Sequence, residues 1–562
     1  MRRTLVVASS FLWMLAGSAY AVEDGGPLPA DGRCAPFSQT EPGYVIPSWD
    51  GTPLAADIHV PEGAGPFPLI VRGHGYPGQR ETCAEGSTCD GLVKAGFIVL
   101  VWDERGFGQS GGKVHLLDPE WEGRDVVAMI DYVKASFADV LAFDDADKLD
   151  PKVGMSGGSY GGGIQWSALV ADRLLVTPPH TRPTHYLDEL APEITWNSLE
   201  QSLVPGGVPK FFITTLLLGT GEVSSRVGGA PPPQDRFCPN TGGQSGLLET
   251  YLQGAIANGA TDETRAFLAR RSIATYLDDQ RLDVPPTFLA QGLRDTLFPP
   301  NQAVTTFETI RDRTEAKLMF FPTGHGWSGA PPALAADLLA WHRHMLYGDP
   351  LPERLAGHDF VYASRGLLAP DWGTDFVYDD YDRVKALGVT RSLGAPAVPL
   401  MLTLPAPTSY ADVTFFQGQI DSQKDPGMIP TFDLPGTAVT WDLPVGSDGV
   451  VLAGTPRLTV ELTTTTSDLF LFGKFYDVDA SGNASVLYHQ VMANRLQSVL
   501  PNVAGQEVTW DLTALAATLP SGHVLRLAVA TSDAMHSASR VPGTTLVTGA
   551  SLFLPIVSGG LE

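Results

Sequence analysis

Residues 150–166 read DPKVGMSGGSYGGGIQW. Two overlapping G-x-S-x-G motifs sit there, centred on Ser156 and Ser159, and the choice between them decides how the chain is built. A serine of this kind stands on a sharp turn between a strand and a helix, with tiny neighbours because the backbone there leaves no room for side chains. For Ser156, the strand would have to end just after Pro151, which cannot donate to a sheet ladder. Its helix would open on GGSYGGG, where each interior glycine costs about 1 kcal/mol relative to alanine. Ser159 instead follows KVGMSG as a strand and precedes IQWSALVADRLL as a sound helix. The elbow is Ser159.

Working outward, PFPLIVRGHG and GFIVLVWDERG are short apolar runs that end in glycine, the pattern of buried parallel strands. CDGLVKAG suits a short helix between them. PEWEGRDVVAMIDYVKASF places Val126, Val127, Ile130 and Val133 on one helical face. PPTFLAQGLRD ahead of NQAVTTFETIRD, and AKLMFFPTGHG ahead of PALAADLLAWHRHML, add two further strand–helix units. Such alternation predicts a parallel sheet with right-handed crossovers. Residues 172–282 break the alternation and are expected to form a cap or lid inserted in the α/β domain, whose parts are 22–171 and 283–349. From 350 to 562 the pattern turns to period 2 with β-branched residues and no helix, which predicts an all-β sandwich or jelly roll.

The order serine, acid, histidine follows from this layout, with the later members on loops after strands. Asp295 stands just past the strand TFLAQG, and His325 just past LMFF. His325 is placed to take the Ser159 proton, and Asp295 to hold the imidazole in one tautomer. An oxyanion hole needs two donors. The first is the backbone N–H of Tyr160. The second comes from the loop RGHGYPG and is assigned to Tyr76, through its hydroxyl or its backbone N–H.

These motifs, with VWDERGFGQSGG, GLRDTLFP, PTGHGW and the later LAGTPRLTVELTTTTSDLFLFGKFYDVDASG, resemble the X-Pro dipeptidyl peptidase and cocaine-esterase-like hydrolases over roughly residues 45–560. The resemblance implies an α/β-hydrolase domain, a helical cap and a C-terminal jelly roll. It also implies a Ser-Asp-His triad at Ser159, Asp295 and His325, with Tyr160 as the donor after the nucleophile. Family members cleave esters or amides and use a tyrosine hydroxyl as second donor. Here RGHGY has one residue more than the R-x-P-Y-like context of that tyrosine.

The remaining features set bounds. Among 562 residues the net charge is −25, which opposes nucleic acid and anionic membranes as partners. Arg2 and Arg3, an apolar Leu5–Leu15 core and Ala19-Tyr20-Ala21 read as a signal peptide over 1–21, giving a secreted or periplasmic protein with no membrane attachment after cleavage. Four cysteines allow three pairings, and sequence does not choose among them. The gap in CAEGSTC suits a local Cys83–Cys89 closure, leaving Cys34 with Cys238. No zinc spacing is present, and neither a metal nor a cofactor is expected. Gly106-x-Gly108-x-x-Gly111 fits a dinucleotide fingerprint but is followed by GKVHLLDPEW, no helix opening. DVDASGN at Asp477 lacks the acidic twelfth position of a calcium loop, which here is Tyr488, and reads as a hairpin turn.

The expected activity is therefore a serine acyl hydrolase acting on a small ester or amide. The alternatives are an X-Pro dipeptidyl peptidase and, from another class, a carbohydrate- or polymer-binding protein on an inactive hydrolase scaffold. Oligomeric state is not legible.

Overall fold

The computed structural model describes residues 43–175, 185–227, 246–325, 331–363, 375–410 and 432–562. The signal-peptide stretch 1–21, Cys34 and Cys238 lie outside the described residues. Ten strands form one sheet in the order β1-β2-β4-β3-β5-β6-β7-β8-β9-β10. They are β1 (Tyr44–Pro47), β2 (Pro53–His59), β3 (Leu69–Arg72), β4 (Ile98–Trp102), β5 (Val153–Gly158), β6 (Leu187–Glu193), β7 (Thr287–Gly292), β8 (Ala316–Phe321), β9 (Phe360–Ala363) and β10 (Phe376–Asp379). From β4 to β9 neighbours run parallel, while β1, β2 and β10 are antiparallel edges.

Strands β4, β7 and β8 are buried along their whole length, and their mainly apolar sequences suit a sheet with helices on both faces. The helix Arg124–Ser136 buries Val126, Val127, Ile130 and Val133, the face marked by its 3.6-residue period.

Two boundaries differ from expectation. Residues 172–282 contain β6, a central strand, so only the helical part from Leu199 onward stands outside the sheet. The strand LDELAPE was masked by its own charges: three acids and a proline do not look like sheet interior. The α/β domain also runs past 349, because β9 and β10 extend the sheet to Asp379. Each has only four residues, too few for a pattern to show.

Among the described residues the C-terminal part holds a five-stranded, a seven-stranded and a two-stranded antiparallel sheet, and, against the expectation of no helix, one short α-helix, Tyr381–Ala386. Its strands show the expected alternation; Arg457–Thr464 buries every second residue. Leu469–Val478 departs from it, buried on both faces. One face joins the sandwich core. On the other, Phe470 and Phe472 pack with Val208 of the cap. The two domains are also joined through Asn301, whose side chain donates to Leu512 O and accepts from Ala514 N, both at 2.9 Å. Cys83 and Cys89 form a disulfide. At the hairpin after Val478, Asp479 accepts from Ser481 N and Asn483 N at 2.8 and 2.9 Å, a turn rather than a cation loop. No helix among the described residues is long and apolar enough to cross a membrane.

Candidate active site

β5 ends at Gly158 and a helix begins at Tyr160, leaving Ser159 between them with φ 58° and ψ −118°. A side-chain-bearing residue rarely adopts that conformation, which costs about 1–3 kcal/mol. The turn is held because Ser159 N donates to Glu193 O at 2.9 Å, while Gly162 N and Gly163 N donate back to Ser159 O. Two glycines make it sterically feasible. A Cβ at Gly161 would lie 2.4 Å from Gly73 O, and one at Gly157, whose φ is +142°, would lie 2.8 Å from the same oxygen. Ser156 is a buried residue of β5, and its hydroxyl accepts from Arg72 Nη1 at 2.7 Å.

Ser159 Oγ lies 2.8 Å from His325 Nε2, and His325 Nδ1 lies 2.9 Å from Asp295 Oδ2. The three residues named from sequence are thus brought into one hydrogen-bonded chain. Asp295 is fully buried, and its other oxygen accepts from Leu297 N and Phe298 N at 3.0 and 2.9 Å. Gln291 Nε2 adds a contact to Oδ2 at 3.2 Å. With this many donors aimed at it, the carboxylate is fixed in place facing the imidazole. Phe298 stands edge-on to the His325 ring at 5.0 Å between centroids.

The loop carrying Asp295 is gripped from three sides. Gln291 Nε2, on β7, donates to Phe298 O at 2.9 Å. Lys210, buried in the cap, donates to Thr296 O and Leu297 O. Gln490, from the β-domain, donates through Nε2 to Leu293 O and Asp295 O, both at 2.9 Å. Beside it Tyr488 and His489 hold left-handed backbones, with φ 54° and 55°. Sequence reasoning found none of these supports. Gln490 is 195 residues from Asp295, and a lone glutamine carries no pattern.

On the other side of Ser159, Tyr160 opens the helix Tyr160–Val170, so its N–H is among those a helix leaves without an internal acceptor. Tyr76 lines the same pocket, its ring packed against Phe107 and Tyr160 at 5.4 and 5.3 Å. His74 fixes the preceding loop: Glu104 N donates to its Nε2 at 3.0 Å, and its Nδ1 meets Gly75 O at 2.9 Å. Burial pushes the His74 imidazole down, keeping it neutral with the proton on Nδ1. Glu104 is also buried, and desolvation pushes its carboxyl well above the usual range. The glycine-rich loop that follows is tied by Arg80 to Asp103 and Asp57 and by Arg105 to Asp125 and Asp50, and no helix opens after Gly111.

The serine opens into a chamber of about 630 Å3. Its walls are mostly apolar, including Leu116, Trp196, Leu217, Leu218, Leu297 and Phe298. Among the described residues no carboxylate lines it. Asp188, Glu189 and Glu193, acids available to grip a substrate amine had they lain in a lid, sit instead on β6.

Residues 50–327 match the domain described as X-Pro dipeptidyl-peptidase (S15 family), and residues 443–553 match the X-Pro dipeptidyl-peptidase C-terminal non-catalytic domain. Cocaine esterase of Rhodococcus sp. (strain MB1 Bresler) is 24% identical over 309 residues, 50% of this chain and 48% of that protein. An uncharacterized 31.7 kDa protein of Escherichia coli is 31% identical over 121 residues, 21% of this chain and 38% of that protein. The matched stretches span less than half the length of either curated relative. Among solved structures, an aminopeptidase from the marine sediment archaeon Thaumarchaeota archaeon has a TM-score of 0.65 at 15% identity, over 96% of this chain and 100% of that one. An alpha-amino acid ester hydrolase has a TM-score of 0.63 at 17% identity, over 96% and 99%. At these identities the likeness is one of fold.

Proposed function

The chain belongs to the X-Pro dipeptidyl-peptidase and cocaine-esterase-like family, and from that premise we propose that it is a serine hydrolase cleaving carboxylic esters of apolar acids. Ser159 Oγ attacks the acyl carbon while His325 Nε2 takes its proton. The developing oxyanion is met by the Tyr160 N–H and by Tyr76. His325 then protonates the leaving alkoxide, and an acyl-enzyme on Ser159 is hydrolysed by water activated the same way. Asp295 holds Nδ1 protonated throughout and stabilises the imidazolium.

One observation carries the choice of ester over X-Pro amide: the chamber beside Ser159 is apolar and has no carboxylate in its described wall. Removing an N-terminal dipeptide requires a grip on the substrate's free ammonium group, and burying that charge unpaired is costly. An ester of an apolar acid asks only for the chamber, the triad and the oxyanion donors.

The test is kcat/KM for nitrophenyl esters against X-Pro-nitroanilides on one preparation. Esters are expected to lead by at least about tenfold, or about 1.4 kcal/mol. A peptidase rate equal to the ester rate overturns the preference. Ser159→Ala is expected to abolish turnover and fluorophosphonate labelling, whereas Ser156→Ala retains most of both. A wild-type protein that takes no fluorophosphonate would favour a binding role for the fold. We also propose export. The signal-peptide-like residues 1–21 support it, and the Cys83–Cys89 disulfide suits an oxidising compartment. Activity confined to the cytoplasmic fraction would refute this.

A further inference from the structure

A second apolar chamber, of about 510 Å3, lies against the first. The two share three wall residues, Leu203, Thr214 and Tyr251. The far chamber is lined beyond that wall by Val204, Pro209, Phe211, Ala255, Leu268 and neighbouring glycines and threonines, none of them charged. Its polar atoms are few and partly engaged: Thr250 Oγ1 donates to Gly246 O at 2.7 Å, and Thr264 N donates to Thr261 Oγ1 at 3.1 Å. A sugar or a peptide would lose its hydrogen bonds with water there and regain few.

We propose that this far chamber is a subsite for the distal part of a long acyl chain, and that Tyr251 is the movable partition between it and the chamber at Ser159. The inference rests on the esterase reading above. All three wall residues stand on cap helices, Leu203 on Leu199–Leu203, Thr214 on Phe211–Val227 and Tyr251 on Leu247–Ala257, so any movement is of a side chain. Tyr251 is the one large side chain of the wall with a polar latch. Its hydroxyl pairs with Thr215 Oγ1, which itself donates to Phe211 O at 2.7 Å, so the tyrosine O–H is the donor. Releasing that one part-buried hydrogen bond is a cost met once, whatever the length of the chain. Each further methylene buried beyond the wall adds to the gain, so the balance shifts with chain length. Short acyl groups therefore leave the partition shut, while chains that outreach the first chamber displace it.

The experiment is kcat/KM for p-nitrophenyl acetate through laurate on wild type, on Tyr251→Ala, which removes the partition, and on Ala255→Trp and Val204→Phe, which fill the far chamber from different sides. Relative to wild type, the laurate-to-acetate ratio is expected to fall at least tenfold in the filled variants and to rise severalfold in Tyr251→Ala. An unchanged ratio in folded filled variants, judged by circular dichroism and Tm, overturns the proposal. A wild type inert even toward acetate would instead refute the esterase reading. The chamber is then read without turnover, through cis-parinaric acid fluorescence on Ser159→Ala. At least tenfold weaker binding on adding Ala255→Trp supports the subsite, and unchanged binding overturns it.

Discussion

β6 and β7 are adjacent strands of one sheet, both buried but for Asp188 on β6, and built from opposite materials. β7 reads TFLAQG and delivers Asp295 to the histidine just past its end. β6 reads LDELAPE and keeps its three acids within the strand. Each of two has an internal partner. Asp188 Oδ2 accepts from Val153 N at 2.7 Å, and Glu189 Oε1 meets His342 Nδ1 at 2.6 Å. Room for Glu189 exists only because its neighbour on β5 is Gly154, where a Cβ would lie 1.8 Å from Glu189 Oε1. A buried acid in this sheet is thus either a structural member or a chemical one, and position relative to the strand's C-terminal end separates the two.

That contrast breaks first at its strongest point. Asp295→Asn is expected to lower kcat by about 10⁴ while leaving Tm within a few degrees, because the amide stabilises the wrong imidazole tautomer. A loss under tenfold would remove Asp295 from the mechanism. His342→Ala is expected to do the reverse. It strands Glu189 without its partner in the sheet interior, at about 3–5 kcal/mol of stability by denaturant titration, with kcat on a short ester kept within about twofold. If kcat collapses while stability holds, the β6 acids belong to the chemistry after all.

The third test sharpens the comparison through pH. Burial pushes the Asp188 carboxyl up to about 8 from an ordinary value of 3.8, outweighing the Val153 N–H that pulls it down. Between those values the unfolded chain has released a proton that the folded chain retains, so stability falls as pH rises through that window. Asp188→Asn keeps an acceptor for Val153 and carries no charge. It should be more stable than wild type at pH 8 by about 2 kcal/mol, with the gap closing toward pH 4. Parallel Tm curves for the two proteins would show that the carboxyl ionises without penalty.

The smallest expected effect tests how the acid loop after β7 is held. Gln490→Leu removes both donors to Leu293 O and Asp295 O at nearly constant volume. A drop in kcat of about tenfold with KM little changed is expected, since displacing a catalytic group slightly costs rate rather than affinity. Unaltered kcat would mean that Lys210 and Gln291 suffice.

The same pair of strands shows what was legible in the sequence. β7, β8 and the elbow announced themselves, because a strand buried on both faces is apolar and a tight turn needs glycine. Ser159, Asp295 and His325 followed from where those strands end. β6 was unreadable: its burial depends on His342, Val153 and Gly154, which come from other elements, and no local pattern encodes partners so distant. Lys210 and Gln490 were hidden for the same reason. Tyr76 stands in the pocket where it was sought, yet which of its two donors serves was not decided by spacing.

Gln490 has a consequence in time. Ribosomes release a chain from its N-terminus, so Ser159, Asp295 and His325 all emerge before the residue that pins the acid's loop. A nascent chain therefore holds all three members of the relay while that loop still lacks two of its hydrogen bonds. Docking of the β-domain supplies those two hydrogen bonds last, so it tightens a loop that Gln291 and Lys210 already hold rather than assembling it.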